Sequence, residues 1–202
     1  MLAFAHLNLR YNPFGALSLE HMGELALVDT EHYLGLLRPE RAAVQFIGDK
    51  GFGKTTRLLA LRRVLPEAAY VRIPVGTSVA IPAGSPLLVD ESQNLGWWRR
   101  RRLFAGPHRL VLGTHVDHAV ELRRHGRVVE TIAVEHETTT ERLHRLIDRR
   151  IESARRGAGP VPEVDAERVR LLLDRHGPNI RAILAELYIR FQTLEGIEHV
   201  EV

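Results

Sequence analysis

Gly48-Asp49-Lys50-Gly51-Phe52-Gly53-Lys54-Thr55 puts three glycines, a lysine and a hydroxyl at fixed spacing. It fits G-x-x-x-x-G-K-[S/T] at every fixed position, and the chemistry of that pattern is phosphate binding. The glycines let the backbone curl so that successive N–H groups face phosphate oxygens. A helix that begins near Lys54 adds the positive end of its dipole. Lys54 is expected to reach the β- and γ-phosphates of ATP, and the Thr55 hydroxyl to ligate Mg²⁺. The expected contact set is Gly48, Asp49, Lys50, Gly51, Phe52, Gly53, Lys54, Thr55 and Thr56.

About 35 residues further on, Leu87-Leu88-Val89-Asp90-Glu91 is an apolar run that ends in two carboxylates. A strand ending in two acids is common. Downstream of a phosphate loop it gains meaning, with Asp90 in the Mg²⁺ shell and Glu91 as the general base that polarises water. A later apolar run, Leu110-Val111-Leu112, leads to Gly113-Thr114-His115. Its tip offers Thr114 to hold the water or sense a phosphate, with His115 as the alternative.

The elements that must carry these groups read as an alternation of strands and helices. Strands are expected at 43–47, 69–73, 87–90, 110–112 and 128–134. Helices are expected at 19–37, 55–64, 93–104 and 116–124. Near-continuous Val/Ile/Leu strands separated by helices indicate a parallel sheet covered on both faces. Between the second and third strands lie only residues 74–86, rich in Gly, Pro, Ser and Ala, and a loop is expected there. After Glu135 the pattern is helical. Thr138 or Thr139 caps a first helix, 157–162 is a linker, and further helices follow at 166–176 and from Ile180. The expected organisation is a core over 1–135, with an N-terminal lead-in over 1–43, and a small helical lid over 136–202. Arg181 lies off the apolar stripe of the last helix, where it can swing over a nucleotide or simply face water.

The chain of 202 residues is 45% hydrophobic, enough for one core plus a small appended domain. It has no cysteine, which excludes disulfides and thiolate metal sites. It shows no signal-peptide pattern at its start and no apolar run of membrane-spanning length, so a cytoplasmic protein without a membrane span is expected. Its basic residues are almost all arginine. The two lysines, Lys50 and Lys54, both lie in the phosphate loop.

These motifs, in this order, resemble the AAA+ ATPases over roughly residues 40–195. Val89-Asp90-Glu91-Ser92-Gln93-Asn94-Leu95, with Asn12-Pro13-Phe14 upstream, looks most like the ExeA-type and TniB-type bacterial ATPases within them. The resemblance implies a three-layer P-loop sandwich with a five-stranded sheet in the order 5-1-4-3-2. It implies Mg²⁺-dependent ATP hydrolysis by a switch or motor subunit, Thr114 and Arg181 as nucleotide sensors, and assembly into a ring or filament. It also implies an arginine donated by a neighbouring copy, for which Arg123, Arg124 and Arg127 are the candidates. Trp97-Trp98-Arg99-Arg100-Arg101-Arg102 is the most unusual surface candidate. It can stack bases and grip phosphates, dock a protein, or place one tryptophan in the core with a basic face in water. A regulatory nucleotide-binding module with little turnover is the alternative function. A small-molecule kinase fits less well, because the arginine-bearing helices follow the sheet instead of interrupting it.

Overall fold

The computed structural model describes residues 3–197. Residues 1–2 and 198–202, the outer ends of the expected core and lid, lie outside the described residues. The chain packs as two compact units. One takes Met1–Ser18, Lys50–Phe52 and Glu135–Val202, and the other takes Leu19–Asp49 and Gly53–Val134.

The second unit holds the sheet. Strands β1 (Ala42–Ile47), β2 (Ala69–Arg72), β3 (Leu87–Asp90), β4 (Leu110–Thr114) and β5 (Val128–Ala133) are all parallel, in the order β2-β3-β4-β1-β5. This is the expected order read from the other edge. Side chains alternate between the faces. Ala43, Leu87, Val89, Leu110 and Leu112 share a core with Leu103 and Phe104 of α4 (Trp97–Ala105) and Leu122 of α5 (Ala119–Arg124). α3 (Lys54–Val64) packs against β2, β3 and β4, with α1 (Leu19–Glu24) and α2 (Thr30–Leu36) beside it. The expected single helix over 19–37 is thus two short ones. Asp29 starts the second by accepting the His32 N–H at 3.0 Å, the local bond by which a cap competes with continued helix. No helix joins β2 to β3, as the composition of 74–86 implied.

Several buried polar groups in this unit are met by side-chain and backbone partners, although among the described residues the Ser92 hydroxyl and His118 Nε2 are not. Gln45, fully buried on β1, donates to Asp117 Oδ1 and to Thr131 Oγ1, each at 2.7 Å, and accepts the His118 N–H at 3.0 Å. Arg127 corrects an expectation. It is 4% exposed, and its guanidinium donates to the carbonyls of Leu103, Phe104, Gly106, His108 and Arg41. Two of these acceptors belong to the last turn of α4, where a cation is favoured by the helix dipole. Burial pulls Arg127 down to about 10, so it stays charged at neutral pH. A side chain engaged in this way is internal scaffolding and does not reach a neighbouring copy. Arg123 and Arg124 stay exposed at the end of α5.

The first unit is built from α6 (Thr140–Ala154), α7 (Ala166–His176) and α8 (Ile180–Gln192). Of the two cap candidates, Thr139 accepts the Arg142 N–H. The N-terminal lead-in, expected with the sheet, packs here instead as far as Ser18. Leu7, Leu9 and Phe14 join the core of Leu143, Ile147, Leu172, Leu187 and Phe191. Phe14 meets Phe191 edge-on at 4.8 Å. The turn at Asn12-Pro13-Phe14-Gly15 is pinned by polar bonds: Arg150 donates to the Pro13 and Gly15 carbonyls at 2.7 Å, and Asn12 Nδ2 donates to Tyr188 O at 2.9 Å. Among the described residues no helix is long and apolar enough to cross a membrane.

Replacing Arg127 with alanine leaves buried carbonyls without a donor, and is expected to cost about 3 kcal/mol of folding stability. Arg124→Ala, on the exposed end of α5, is expected to cost almost nothing. Urea denaturation of the two variants compares them directly, and coincident midpoints would refute the scaffolding role.

Candidate functional site

In the sheet unit, parallel pairing brings the strand ends together. Phe46 pairs with Gly113, Ile47 with Thr114, and Val89 with Leu112. The start of the phosphate loop, the two acids and the Gly113-Thr114-His115 tip therefore emerge at one edge. α3 begins at Lys54, one residue after Gly53, which has φ 89°. That left-handed backbone at the helix cap is open to glycine and strained for other residues. Lys54 is buried, and its ammonium donates to the carbonyls of Gly48 at 2.6 Å and Asp49 at 2.9 Å. The cation is thus held against the loop's own backbone.

Thr55, one residue further along α3, donates its hydroxyl to Asp90 Oδ2 at 2.8 Å. The same oxygen accepts from Tyr70 Oη at 3.1 Å, while Oδ1 accepts the Glu91 N–H at 3.1 Å. Asp90 is 1% exposed, and burial is the main reason that its carboxyl is pushed above the ordinary range. The bonds from Thr55 and Tyr70 oppose that rise, and the neighbouring charge of Glu91 adds to it. Tyr70 is pushed up in turn, first by burial and then by the charge of Asp90. There is no room to spare around this group: a Cβ at Gly113 would lie 2.8 Å from Asp90 Oδ1.

Glu91 adopts a left-handed backbone, with φ 57° and ψ 41°. That is uncommon for a glutamate and turns the chain sharply at the strand end. Its carboxylate accepts from Gln93 Nε2 at 2.6 Å and lies 3.5 Å from His115 Nε2 and 4.0 Å from Arg72. Gln93 Oε1 in turn accepts the His115 N–H at 3.3 Å. Glu91, Gln93 and His115 therefore form one polar group beside Asp90. Thr114 does not join it. Its side chain is fully buried, and its hydroxyl donates to Val116 O at 2.8 Å and accepts the Val116 N–H at 3.0 Å. The hydroxyl closes its own turn, and at this strand tip it is the partly buried His115, not Thr114, that lies beside Glu91.

Arg181 is the second residue of α8 in the helical unit and has an exposed side chain. Within that unit its backbone N–H donates to Gly51 O at 3.3 Å. Gly51 has φ 94°, and a Cβ there would overlap Asn179 Oδ1. The tip of the phosphate loop, Lys50–Phe52, is thereby packed on the capping turn of α8.

Tyr70, Arg72 and Gln93 were not singled out from the sequence. A usable signal existed for the tyrosine. It sits on a strand whose C-terminal end must align with Asp90, and the register pairs Arg72 with Asp90. Among the described residues no three His, Cys, Asp or Glu side chains cluster as a ready metal cage. The donors present, one hydroxyl and one carboxylate, fit a hard cation that takes its remaining ligands from phosphates and water. A cleft of about 610 Å³ opens elsewhere in this unit, lined by Ile81, Pro82, Leu87, Arg102, Leu103 and His108 among others. It shares no residue with the phosphate loop.

No protein-family description matches this sequence, and no curated protein does. Among solved structures, the chain is similar to the crystal structure of Cdc6p from Pyrobaculum aerophilum. The TM-score is 0.53 at 14% identity, over 89% of this chain and 64% of that one. The fold is the AAA+ P-loop ATPase fold. At this identity the likeness concerns architecture, and this chain spans somewhat less than two thirds of the length of the one it matches.

Because Asp90 is raised when folded, the folded state holds its proton more tightly than the unfolded chain does. Ionised Asp90 therefore lowers stability. The effect is absent below the ordinary carboxyl value near 3.8, grows as pH rises past it, and is complete above the raised value of Asp90. Asp90→Asn, without nucleotide or metal, is expected to be about 1 kcal/mol more stable than wild type at pH 7. That advantage is expected to fade towards pH 4. Chemical denaturation across this range measures it, and a pH-independent difference would show that burial of the charge is not the cause.

Proposed function

We propose that this chain binds ATP with Mg²⁺ and hydrolyses it, acting as an AAA+ type switch or motor subunit. The observation that carries the reading is the 2.8 Å bond from Thr55 to Asp90, which joins the phosphate loop to the acidic strand end. Thr55 and Asp90 are the groups that would hold the metal, directly or through water. A bound Mg²⁺ neutralises phosphate charge and orients the phosphoryl group. Lys54, drawn over the loop by two carbonyls, would turn to the β- and γ-phosphates. Backbone N–H groups from Gly48 to Thr56 would complete their binding. Glu91 would accept the proton of the attacking water, with Gln93 and His115 positioning its carboxylate. Arg181 is kept as the group that senses the nucleotide. Arg123 or Arg124, exposed on α5, would be supplied to the site of a neighbouring copy.

One observation favours a second reading, a regulatory module with little turnover. Glu91 already accepts a 2.6 Å bond from Gln93, which would restrain it as a base. Gln93→Ala separates the readings. Faster turnover would mean that Gln93 restrains Glu91, whereas slower turnover would mean that it positions Glu91.

Glu91→Gln is expected to keep nucleotide binding and lose turnover by about 10²-fold or more. Lys54→Ala is expected to lose binding itself. Fluorescent-nucleotide titration and phosphate release measure the two, and normal turnover in Glu91→Gln would remove Glu91 as the base. If an arginine is supplied by a neighbour, activity per chain rises with protein concentration, and Arg123→Ala or Arg124→Ala flattens that rise.

A further inference from the structure

Helix α4 carries its tryptophans in the open. Trp97 is 50% exposed and Trp98 is 77% exposed, so neither belongs to the core. Large exposed rings are uncommon enough that a pair of them on one short helix calls for a partner. The two rings meet edge to face at 4.4 Å, and the Arg101 guanidinium lies 5.6 Å over the Trp97 ring.

The four arginines that follow divide into two kinds. Arg99 donates to Ser78 Oγ and to the Val79 carbonyl, and so ties the β2–β3 loop to the helix. Arg100 pairs with Glu121 at 2.9 Å. These two are structural. Arg101 and Arg102 are exposed, and among the described residues neither pairs with a carboxylate. Helical spacing then sorts the residues: 97 with 101, and 98 with 102, are one turn apart on the same side. Leu103 points into the core from the other side, and Phe104, at the edge of this face, is fully buried in the same core. The outer face is two indoles and two guanidiniums, with nothing else of size. Between Glu91 and Asp117 the sequence contains no acidic residue.

We propose that the outer face of α4, formed by Trp97, Trp98, Arg101 and Arg102, is a binding surface for single-stranded nucleic acid. Indole planes stack on unpaired bases of any sequence, and guanidiniums pair with phosphates and release their counterions. The single-stranded form is selected because an indole face reaches a base face only where the base is not already stacked in a duplex. An apolar protein-docking face would present aliphatic side chains, and this one has none. The proposal does not depend on nucleotide hydrolysis.

The chain has only two tryptophans, both on this face, so their emission reports on it without a label. The test titrates the full chain, without nucleotide, with a dT oligonucleotide of about 15 residues. Saturable quenching is expected, with affinity falling as salt rises. Duplex DNA of the same length and polyglutamate should both be markedly weaker. By anisotropy of a labelled oligonucleotide, Trp98→Ala and the pair Arg101→Glu with Arg102→Glu should each weaken binding by about 10-fold or more, while Trp98→Phe retains most of it. These side chains are exposed, and circular dichroism checks that the variants are folded. The proposal is overturned by absence of quenching, by equal quenching with polyglutamate or duplex, or by wild-type affinity in Trp98→Ala. None of those results would bear on ATP binding.

Discussion

Asp90 lies at the end of a buried strand and is almost inaccessible to water. A carboxylate in that position persists only where donors meet it. Three do: the Thr55 hydroxyl, the Tyr70 hydroxyl and the Glu91 N–H. Each comes from a different stretch of chain. The hydroxyl of Thr55 locks the start of α3 to β3, Tyr70 locks β2 to β3, and the Glu91 N–H belongs to the turn leaving β3. Gly113 on β4 has to be glycine-sized because the same carboxylate occupies the space beside it. One buried acid thus orders four neighbouring elements at the strand ends.

The strain at Glu91 follows from that arrangement. With the chain held at Asp90, a left-handed step brings the next carboxylate to Gln93 and His115. Residues Ser92–Asn94 then form a short 3-10 turn, and Asn94 donates to Ile73 O at 2.8 Å, which fixes that turn to the end of β2. α4 starts three residues later. The acidic pair and the tryptophan face therefore belong to one continuous, anchored segment of chain.

Burial of polar side chains also organises the rest of the sheet unit. Arg127 serves the carbonyls at the end of α4, and Gln45 ties β1 to β5 and to the start of α5. In the helical unit Arg150 does the equivalent for the N-terminal turn. In an arginine-rich chain, these two buried arginines show that part of the basic composition serves backbone carbonyls. Arginine suits it, since a planar fork with five donors can satisfy several carbonyls at once.

Local pattern was enough for the phosphate loop, the acidic strand end, the five parallel strands and the missing helix between β2 and β3. Each rests on spacing or composition within a few residues, and the physics that links them to structure is short-range. The partners of those residues were not legible, because they come from distant parts of the chain. Nothing near His115 in sequence says that it faces Glu91, and even the local bond of Thr114 to Val116, two residues away, depends on the turn that the folded strand end adopts. Arg127 reads as one more basic residue after a helix until the carbonyls of Leu103 to His108 surround it. Asn12-Pro13-Phe14 announces a turn and is silent on which core receives Phe14. The division between bonded and outward-facing arginines on α4 was equally hidden, because it depends on Ser78, Val79 and Glu121, which folding alone brings alongside.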